Sequence, residues 1–250
     1  MQLSIIIPAY NEAHRIGPTL ERILIYRHDQ NLDAEIIVID DGSTDETANI
    51  AGTFARDHRD FRVLSNGINR GKGYSVRRGM LEASGDVRLM SDADLSSPIE
   101  EAPKLMRALA EGADIAIGSR WLDPGTQTKR QSAGRQMASH AAHRFIRLVL
   151  GIQEHDPQCG FKAFTRRAVE KLFPFVTRRW MWDTEILFLA RRTGLRVAEV
   201  PVAWAHCEGS HHGLKATLWD PVEVVIIRCN DLSGAYRQLT AAPGDRHIAA

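Results

Sequence analysis

Short apolar runs that alternate with helix-like segments constrain the fold of this chain more than any other feature of its sequence. The runs have the length of strands and lie at 3–9, 35–40, 61–65, 87–91 and 114–118. Segments with a helical spacing of apolar residues lie between them, at about 14–28, 44–59, 72–84 and 99–111. This alternation predicts repeated βαβ units, and therefore an α/β fold with a mainly parallel, Rossmann-like sheet flanked by helices.

The regular alternation ends after Arg120. The predicted elements beyond it are a mobile loop at 121–134, a long helix at 135–150, helices with an edge strand near 196–202 inside the segment 156–204, and an amphipathic helix at 214–232 that is interrupted at Pro221. Residues 233–250 are predicted to form a flexible tail. We therefore expect a single domain over residues 1–232.

The composition is that of an ordinary globular protein. Of the 250 residues, 44% are hydrophobic and 25% are charged, and the formal net charge of +1 gives no indication of a nucleic-acid partner. Cys159, Cys207 and Cys229 form no Cys-x-x-Cys pair, which favours reduced thiols in a cytoplasmic protein. No apolar run approaches the roughly 18 residues that span a bilayer, and Pro8 ends the first run too early for a signal peptide. We expect a protein that is soluble or lies on a membrane surface.

Polar residues follow three of the predicted strands. The first strand ends in PAYNE at 8–12, the second in DDGSTD at 40–45 and the fourth in DAD at 92–94. Ligands of open parallel sheets bind outside the carboxyl ends of the strands, so these residues are expected to share one crevice. The carboxylates of Asp92 and Asp94 are hard ligands that suit Mg²⁺ or Mn²⁺ held together with a substrate phosphate. An acidic pair alone fits a solvated turn equally well.

Four motifs in combination resemble the family 2 glycosyltransferases of GT-A fold. They are IIIPAYNE at 5–12, IVIDDGSTDET at 37–47, NRGKG at 69–73 and DAD at 92–94. Three further motifs resemble the branch that glycosylates polyprenyl phosphates, namely GSR at 118–120, DPQCGFKAF at 156–164 and WDTE at 182–185. Within that branch, NRGKG is more similar to the dolichyl-phosphate β-glucosyltransferases than to the dolichyl-phosphate mannose synthases. The resemblance reaches from residue 3 to about residue 215.

The resemblance implies a nucleotide-sugar-binding half at 1–119 and an acceptor half at 120–232. The implied nucleotide-sugar site comprises Pro8, Ala9, Tyr10, Glu12, Gly71, Lys72, Asp92 and Ala93, with Asp40 or Asp41 reading the base. Asp94 is an implied ligand of Mg²⁺ or Mn²⁺, and Asp92 is implied to bind the ribose, the metal or both. Mannose synthases often carry a Gln two positions after the second Asp, where this chain has Ser96 as the candidate third ligand.

The acceptor phosphate is implied to bind basic residues of the second half. Arg120 and Arg135 are the implied ligands, because a guanidinium fork matches phosphate oxygens, and a structural salt bridge is the alternative for each. Relatives usually carry a lysine near 209–212, and either His211 or Lys215 takes its place here. We therefore expect a lipid phosphate as the partner on this side.

A phosphate acceptor needs little help from a general base. A phosphomonoester with a second pKa of roughly 6 is largely dianionic at neutral pH and attacks without losing a proton. If a base is used, the candidates are Asp156 and Asp183. For Asp183, an N-cap ahead of the following helix is the alternative.

The implied activity is that of a metal-dependent, inverting glycosyltransferase that moves a hexose, preferably glucose from UDP-glucose, onto a polyprenyl or dolichyl phosphate. GDP-mannose as the donor and a saccharide as the acceptor are close alternatives. A non-catalytic module that binds a nucleotide sugar is the alternative from another class, and the intact Asp92, Asp94 and Arg120 argue against it.

A lipid acceptor also implies contact with a membrane. Residues 135–150 and 214–227 combine basic with large apolar residues at helical spacing and predict interfacial helices, although core packing explains the same pattern. The implied location is cytoplasmic, peripheral to the cytoplasmic face of a membrane. On the first of these helices, His140 and His143 are predicted to be partly exposed or phosphate-facing.

Overall fold

The computed structural model describes residues 2–123, 125, 127–129, 133–175, 180–205 and 214–240. Its strands are β1 (Leu3–Ala9), β2 (Ala34–Asp40), β3 (Phe61–Ser65), β4 (Val87–Met90), β5 (Ile115–Ser119), β6 (Gln127–Lys129), β7 (Lys162–Thr165), β8 (Val197–Pro201) and β9 (Trp204–Ala205). Its helices are α1 (Ile16–Asp29), α2 (Thr47–Asp57), α3 (Lys72–Glu82), α4 (Ala102–Ala110), α5 (Ala133–Leu150), α6 (Arg166–Leu172), α7 (Trp182–Arg192), α8 (Leu214–Leu232) and α9 (Arg237–Thr240).

Seven strands form the main sheet, in the order β3-β2-β1-β4-β7-β5-β8. All neighbours in the sheet are parallel except β7, which runs antiparallel between β4 and β5. The chain builds outward from β1 to β3 on one side and then returns to place β4 on the other side. A reversal of this kind opens a crevice at the carboxyl ends of β1 and β4, which is where open α/β sheets bind ligands.

Alternate residues of the central strands enter two apolar layers. Ile5 and Ile7 of β1 pack in a layer with residues of α1, α2 and α4, whereas Ile6 packs in a layer with residues of α3, α6 and α7. Every residue of β1 and β2 is buried, as expected for parallel strands that helices cover on both faces. The core therefore holds the strand ends rigidly under the crevice.

The predicted α/β class with a mainly parallel sheet is confirmed, and each of the five strands predicted in the first half is present to within one residue at either end. The edge strand predicted near 196–202 is present as β8. Several predictions about the second half are wrong. The loop predicted at 121–134 contains β6, which pairs with β9, and α5 already begins at Ala133. The segment 156–204 also contributes β7 to the middle of the main sheet, a strand that was not predicted.

The C-terminal helices extend the packed domain. The prediction that Pro221 interrupts the helix at 214–232 is wrong, because α8 is continuous through this residue and packs against α5 and α7. Proline removes one helical hydrogen bond, and contacts on the rest of the helix can outweigh that loss. Tyr236 and Leu239 are buried in the core, so the packed region ends beyond the predicted boundary at residue 232. Among the described helices, none has the length and apolarity needed to cross a bilayer.

Candidate active site

The carboxyl ends of β1, β2 and β4 surround an open cleft of about 200 Å³ together with the start of α3. The residues predicted for the nucleotide sugar and the metal that line the cleft are Pro8, Ala9, Tyr10, Glu12, Asp41, Gly71, Lys72, Asp92, Ala93 and Asp94. Trp180, from the segment before α7, also lines it. The fold thus brings four separate motifs to one cavity.

Hydrogen bonds between the loops after β1 and β2 shape one wall of the cleft. The Asn11 amide donates to Ser43 Oγ at 3.0 Å, and the Glu12 amide donates to Thr47 Oγ1 at 2.7 Å. In the other direction, the Thr44 amide donates to Asn11 Oδ1 at 2.8 Å. Asn11 has a φ of 53°, a left-handed conformation that Asn tolerates better than most residues. This interlock fixes the backbone of residues 9–12 beside the cavity.

Asp41 lines the cleft while its carboxylate holds the loop that follows β3. The amides of Arg70 and Gly71 donate to its two oxygens at 3.0 and 2.8 Å. The side-chain amide of Asn66 donates to Asp41 Oδ1 at 2.7 Å and to Ser75 Oγ at 2.9 Å. Asp41 therefore positions the first turn of α3, and its predicted role in reading the base stays a prediction.

Asp40, the alternative base reader, is buried at the end of β2. Its carboxylate accepts hydrogen bonds from the Ser43 amide at 3.2 Å and from Ser65 Oγ at 3.4 Å. These contacts tie the end of β2 to the end of β3. They leave the choice between Asp40 and Asp41 as base reader open.

Lys72 is a cation that lines the cleft. It begins α3 directly after Gly71, whose φ of 93° is accessible to glycine and to few other residues. Its Nζ lies 2.5 Å from Asp92 Oδ1. Burial opposes its charge, but the carboxylates of Asp92, Asp183 and Asp94 outweigh burial and raise the pKa of Lys72. The lysine is therefore a permanent positive charge at neutral pH, next to the acidic pair.

Asp92 and Asp94 follow β4 on a tight turn. Leu95 adopts a left-handed φ of 46°, and the Ser96 amide donates to Asp94 Oδ1 at 2.9 Å. Gly160 packs against the other carboxylate, since a Cβ at this position would lie 2.0 Å from Asp92 Oδ2. Ser96 thus contacts Asp94 through its backbone, and its place as a third metal ligand stays a prediction.

The donor set fits a hard divalent cation that is shared with a substrate. Two carboxylates lie on one turn, and the part of the chain that the structure describes contains no group of three or more His, Cys, Asp and Glu side chains that could hold a metal. Mg²⁺ and Mn²⁺ sites of phosphate-handling enzymes commonly use one or two carboxylates plus substrate oxygens and water. Asp92 and Asp94 match that pattern.

On the acceptor side, Arg120 and Asp156 form a buried bidentate ion pair. The Nε and Nη2 atoms of Arg120 lie 2.6 Å from the two oxygens of Asp156, and its backbone amide adds a bond of 3.0 Å. The guanidinium stands 5.4 Å from the ring centroid of Trp204. Burial disfavours both charges, but each partner outweighs it, so the pKa of Arg120 is raised and that of Asp156 is lowered. Asp156 is therefore a weak base in this structure.

Asp183 lies inside the first turn of α7 and faces the lysines of the site. The N-cap of α7 is Met181, so the predicted alternative of an N-cap at Asp183 is wrong. Burial raises the pKa of Asp183 above its ordinary value, against the opposing charges of Lys162 and Lys72 and the hydrogen bonds from Thr184. A carboxylate with a raised pKa is a better proton acceptor than an ordinary one, which suits the predicted role of Asp183 as a base.

Three predicted acceptor residues have no described side-chain position. Arg135 lies in α5 and Lys215 in α8, and only their backbone is described, while His211 lies outside the described residues. His143 is only 3% exposed, with Nε2 2.9 Å from Gln158 Oε1. Of its two predicted alternatives, partial exposure is therefore wrong, and a phosphate-facing ring stays a prediction. Its ring packs 4.4 Å from that of Trp121, between centroids.

Two features of the site were not predicted. Glu199 of β8 accepts hydrogen bonds from the amides of His155 and Asp156 at 2.9 and 2.8 Å, which holds Asp156 in front of Arg120. Lys162 of β7 is fully buried behind the cleft. A lysine inside a short apolar segment was the one available signal for Lys162, since buried charges are rare without a specific partner.

A doubly wound sheet with an acidic pair and a lysine at its switch point is the architecture of a nucleotide-binding α/β enzyme. The family model for glycosyl transferase family 2 matches residues 4–173 of this chain. The dolichyl-phosphate beta-glucosyltransferase of Saccharomyces cerevisiae is 34% identical over 256 residues, which cover 94% of this chain and 76% of that protein. The enzyme of the same name from Drosophila melanogaster is 37% identical over 224 residues, with coverages of 84% and 69%.

The chain therefore belongs to glycosyl transferase family 2 and is a glycosyltransferase. A solved structure of glucosyl-3-phosphoglycerate synthase from Mycobacterium tuberculosis, in complex with Mn²⁺, UDP-glucose and glycerol 3-phosphate, matches it with a TM-score of 0.67 at 22% identity. The match covers 92% of this chain and 80% of that chain. This likeness confirms the predicted GT-A fold.

Proposed function

We propose that this glycosyltransferase moves glucose from UDP-glucose onto a polyprenyl phosphate of the dolichyl type, with inversion at the sugar and with Mg²⁺ or Mn²⁺ as cofactor. The observation that carries the proposal is the cluster of Asp92, Asp94 and Lys72 at the mouth of the nucleotide cleft, with Asp183 close enough for its charge to act on Lys72. Donor groups and an acceptor-side carboxylate thereby meet around one reaction centre.

The similar proteins support the choice of donor and acceptor. Two relatives that are more than 30% identical to this chain over the aligned residues are named for glucose transfer to dolichyl phosphate. The structural neighbour with the same fold was crystallised with Mn²⁺ and UDP-glucose. The NRGKG loop, which Asp41 holds against the cleft, is part of the resemblance to the glucosyltransferase branch.

Departure of the nucleoside diphosphate is the step that the donor side promotes. Asp92 and Asp94 would hold the divalent cation, which supplies Lewis-acid stabilisation of the charge that develops on the diphosphate. Lys72 is charged and lies beside them, so its ammonium can pair with a phosphate oxygen once the substrate competes for it. Asp41 and Gly71 keep that lysine in place through the loop.

Attack by the acceptor requires a phosphate oxygen on the face of the sugar opposite the leaving group. Arg120, with Arg135 and either His211 or Lys215, would bind the acceptor phosphate. Because the dianionic phosphate is already a nucleophile, Asp183 is needed mainly to orient the acceptor and to take up a proton from the monoanionic form. Asp156 supports Arg120 from behind through their bidentate contact.

We also propose that α5 and α8 dock on the cytoplasmic face of a membrane, where the lipid acceptor resides. The two helices pack together, and both present large apolar side chains to solvent. On α8, Val222, Val225, Ile226 and Leu232 share one helical face with exposures of 41–70%. On α5, Leu148 is 76% exposed beside the exposed Arg144 and Arg147. Apolar residues flanked by arginines are complementary to an anionic lipid surface.

Transfer to extracted lipid tests the enzymatic proposal. The protein is incubated with Mg²⁺ or Mn²⁺, a short polyprenyl phosphate and radiolabelled UDP-glucose, UDP-galactose or GDP-mannose in parallel. We expect label in the organic phase with UDP-glucose alone and only when a divalent cation is present. Transfer with GDP-mannose instead, or measurable nucleotide binding without any transfer, contradicts the proposal.

Asp94→Asn provides the matched test of the metal role. We expect transfer to fall by a factor of at least about 10², since the developing charge loses its counter-ion, while the unfolding temperature stays close to that of the wild type. Glu100→Gln, an exposed acid on the turn before α4, serves as the control and should leave transfer unchanged. Retained activity in Asp94→Asn contradicts the metal role.

A further inference from the structure

Lys162 is a buried cation that the proposed chemistry has not used. It begins β7, in register with Met90 of β4 and Ile117 of β5, and its side chain has no exposed area. Burying an ammonium is costly unless polar or aromatic groups compensate it. A methionine or leucine would fill the same space in a strand without that cost, so the position of the charge calls for an explanation.

The ammonium of Lys162 contacts both sides of the site. Nζ donates a hydrogen bond to the carbonyl oxygen of Cys159, the residue before Gly160. Gly160 in turn packs against the carboxylate of Asp92 so closely that any side chain there would collide with it. On the other side, Nζ stands 5.6 Å from the ring centroid of Trp182, the residue before Asp183. One buried side chain thus joins the turn behind Asp92 to the start of α7.

The charge of Lys162 also acts on Asp183. Burial raises the pKa of Asp183, and the charge that opposes burial most is that of Lys162 on β7, followed by Lys72 on α3. Lys72 already pairs with Asp92, and a bound diphosphate would add further negative charge beside it. Lys162 has no such competitor, because its single hydrogen-bond acceptor among the described residues is a backbone carbonyl.

We propose that Lys162 is a positioning residue that holds Asp92 and Asp183 in their working arrangement, through the Cys159–Gly160 turn on one side and through Trp182 and its own charge on the other. Such a role rests on the proposed function, since it requires Asp92 to act on the donor and Asp183 on the acceptor. Lys162 itself is fully buried and does not line the cleft, so it acts through these neighbours.

Lys162→Met and Lys162→Gln test this role, with Arg88→Met as the matched control. Arg88 is a second buried cation of the sheet, 4% exposed, whose guanidinium donates to the carbonyl oxygens of Met80 and Gly85 far from the cleft. We expect kcat to fall by at least about tenfold in both Lys162 variants, a part of the 10²–10⁴ that a positioned base contributes. The Kd for UDP, measured without a divalent cation so that the position of Asp92 matters little, should stay within about threefold of the wild-type value, because the residues after β1 and β2 that line the cleft do not contact Lys162.

The pH dependence of kcat distinguishes a positioning role of Lys162 from a role in stability alone. Without Lys162 the proton affinity of Asp183 rises, so the acid limb of kcat should move to higher pH, and Asp183→Asn should abolish that movement. Arg88→Met should leave the limb in place, since the acceptor phosphate titrates alike in every variant.

Three results would overturn the role of Lys162. They are an equal loss of kcat in Arg88→Met, an acid limb that does not move, and failure of both Lys162 variants to fold or to bind UDP. A wild-type protein that transfers no glucose refutes the proposed function instead, whereas an active wild type with fully active Lys162 variants refutes only the inference about Lys162.

Discussion

Among single residues, the pairing of Arg120 with Asp156 best illustrates how burial and charge are balanced in this site. Asp156 has no exposed area, and the side chain of Arg120 is 18% exposed. The loss of hydration is offset by the bidentate contact and by the hydrogen bond that the Arg120 amide donates to the Asp156 carboxylate. A pair of this kind is expensive to break, because removing one partner leaves the other charged and buried.

Asp156→Asn should therefore lower the free energy of unfolding by about 3–5 kcal/mol, the usual effect of breaking a buried ion pair. The measurement is urea-induced unfolding at pH 7, with Glu100→Gln as the control. Glu100 pairs with Arg22 at the surface, where both side chains are nearly half exposed, and such pairs contribute less than about 1 kcal/mol.

The same pair gives the stability a pH dependence of known sign. Arg120 holds the pKa of Asp156 below its ordinary value, so its stabilisation is complete above the unfolded-state pKa of roughly 3.9 and is lost as the pH falls through the lower folded-state pKa. In Asp156→Asn the part of the unfolding free energy that depends on ionisation of Asp156 should disappear. This role of the ion pair would be contradicted if Asp156→Asn and Glu100→Gln lowered the free energy of unfolding equally. It would also be contradicted if the free energy of unfolding of Asp156→Asn depended on acidic pH as that of the wild type does.

Between elements, the Cys159–Gly160 turn before β7 packs closely against Asp92, which follows β4. Gly160→Ala places a Cβ against Asp92 Oδ2, so either the turn or the carboxylate must move. We expect transfer to fall by at least about tenfold, because displacements near 1 Å are costly at a reaction centre. Gly52→Ala is the control, since its Cβ meets only the end of the Arg56 side chain at 3.9 Å. The measurement is the rate of transfer by both variants, with thermal unfolding as a check that each is folded. Full activity of Gly160→Ala would contradict the steric argument.

The elements differ in how far the sequence determines them. β1, β2 and β4 are runs of apolar residues that end in polar motifs, and local pattern was enough to predict both the strands and the cleft residues at their ends. β7 is four residues long, starts with a lysine and inserts antiparallel between β4 and β5. Its place depends on partners more than 40 residues away in the chain, so local pattern could not place it between β4 and β5. The contacts of Gly160 and Lys162 depend on that insertion and were equally inaccessible.

For the whole molecule, the exposed apolar residues of α5 and α8 are the feature that tests whether the enzyme binds a membrane or works in solution. Each large apolar side chain that enters the lipid contributes up to about 1.5–3 kcal/mol, so two or three of them are enough for measurable binding. Leu148 on α5 and Ile226 on α8 are exposed by 76% and 46%, and neither lies in the cleft. We therefore expect the wild-type protein to float with liposomes that contain anionic lipid and a polyprenyl phosphate.

Replacing both residues in Leu148→Glu/Ile226→Glu should lower the bound fraction by about tenfold or more, since each carboxylate adds repulsion from anionic lipid to the loss of apolar area. Ile25→Glu is the matched control, because Ile25 is 54% exposed on α1, an element outside this face. The double variant should still transfer glucose to a detergent-dispersed acceptor and lose activity mainly with the acceptor in liposomes. Equal flotation of wild type, control and double variant, or a wild type that stays wholly unbound, would contradict docking through this face.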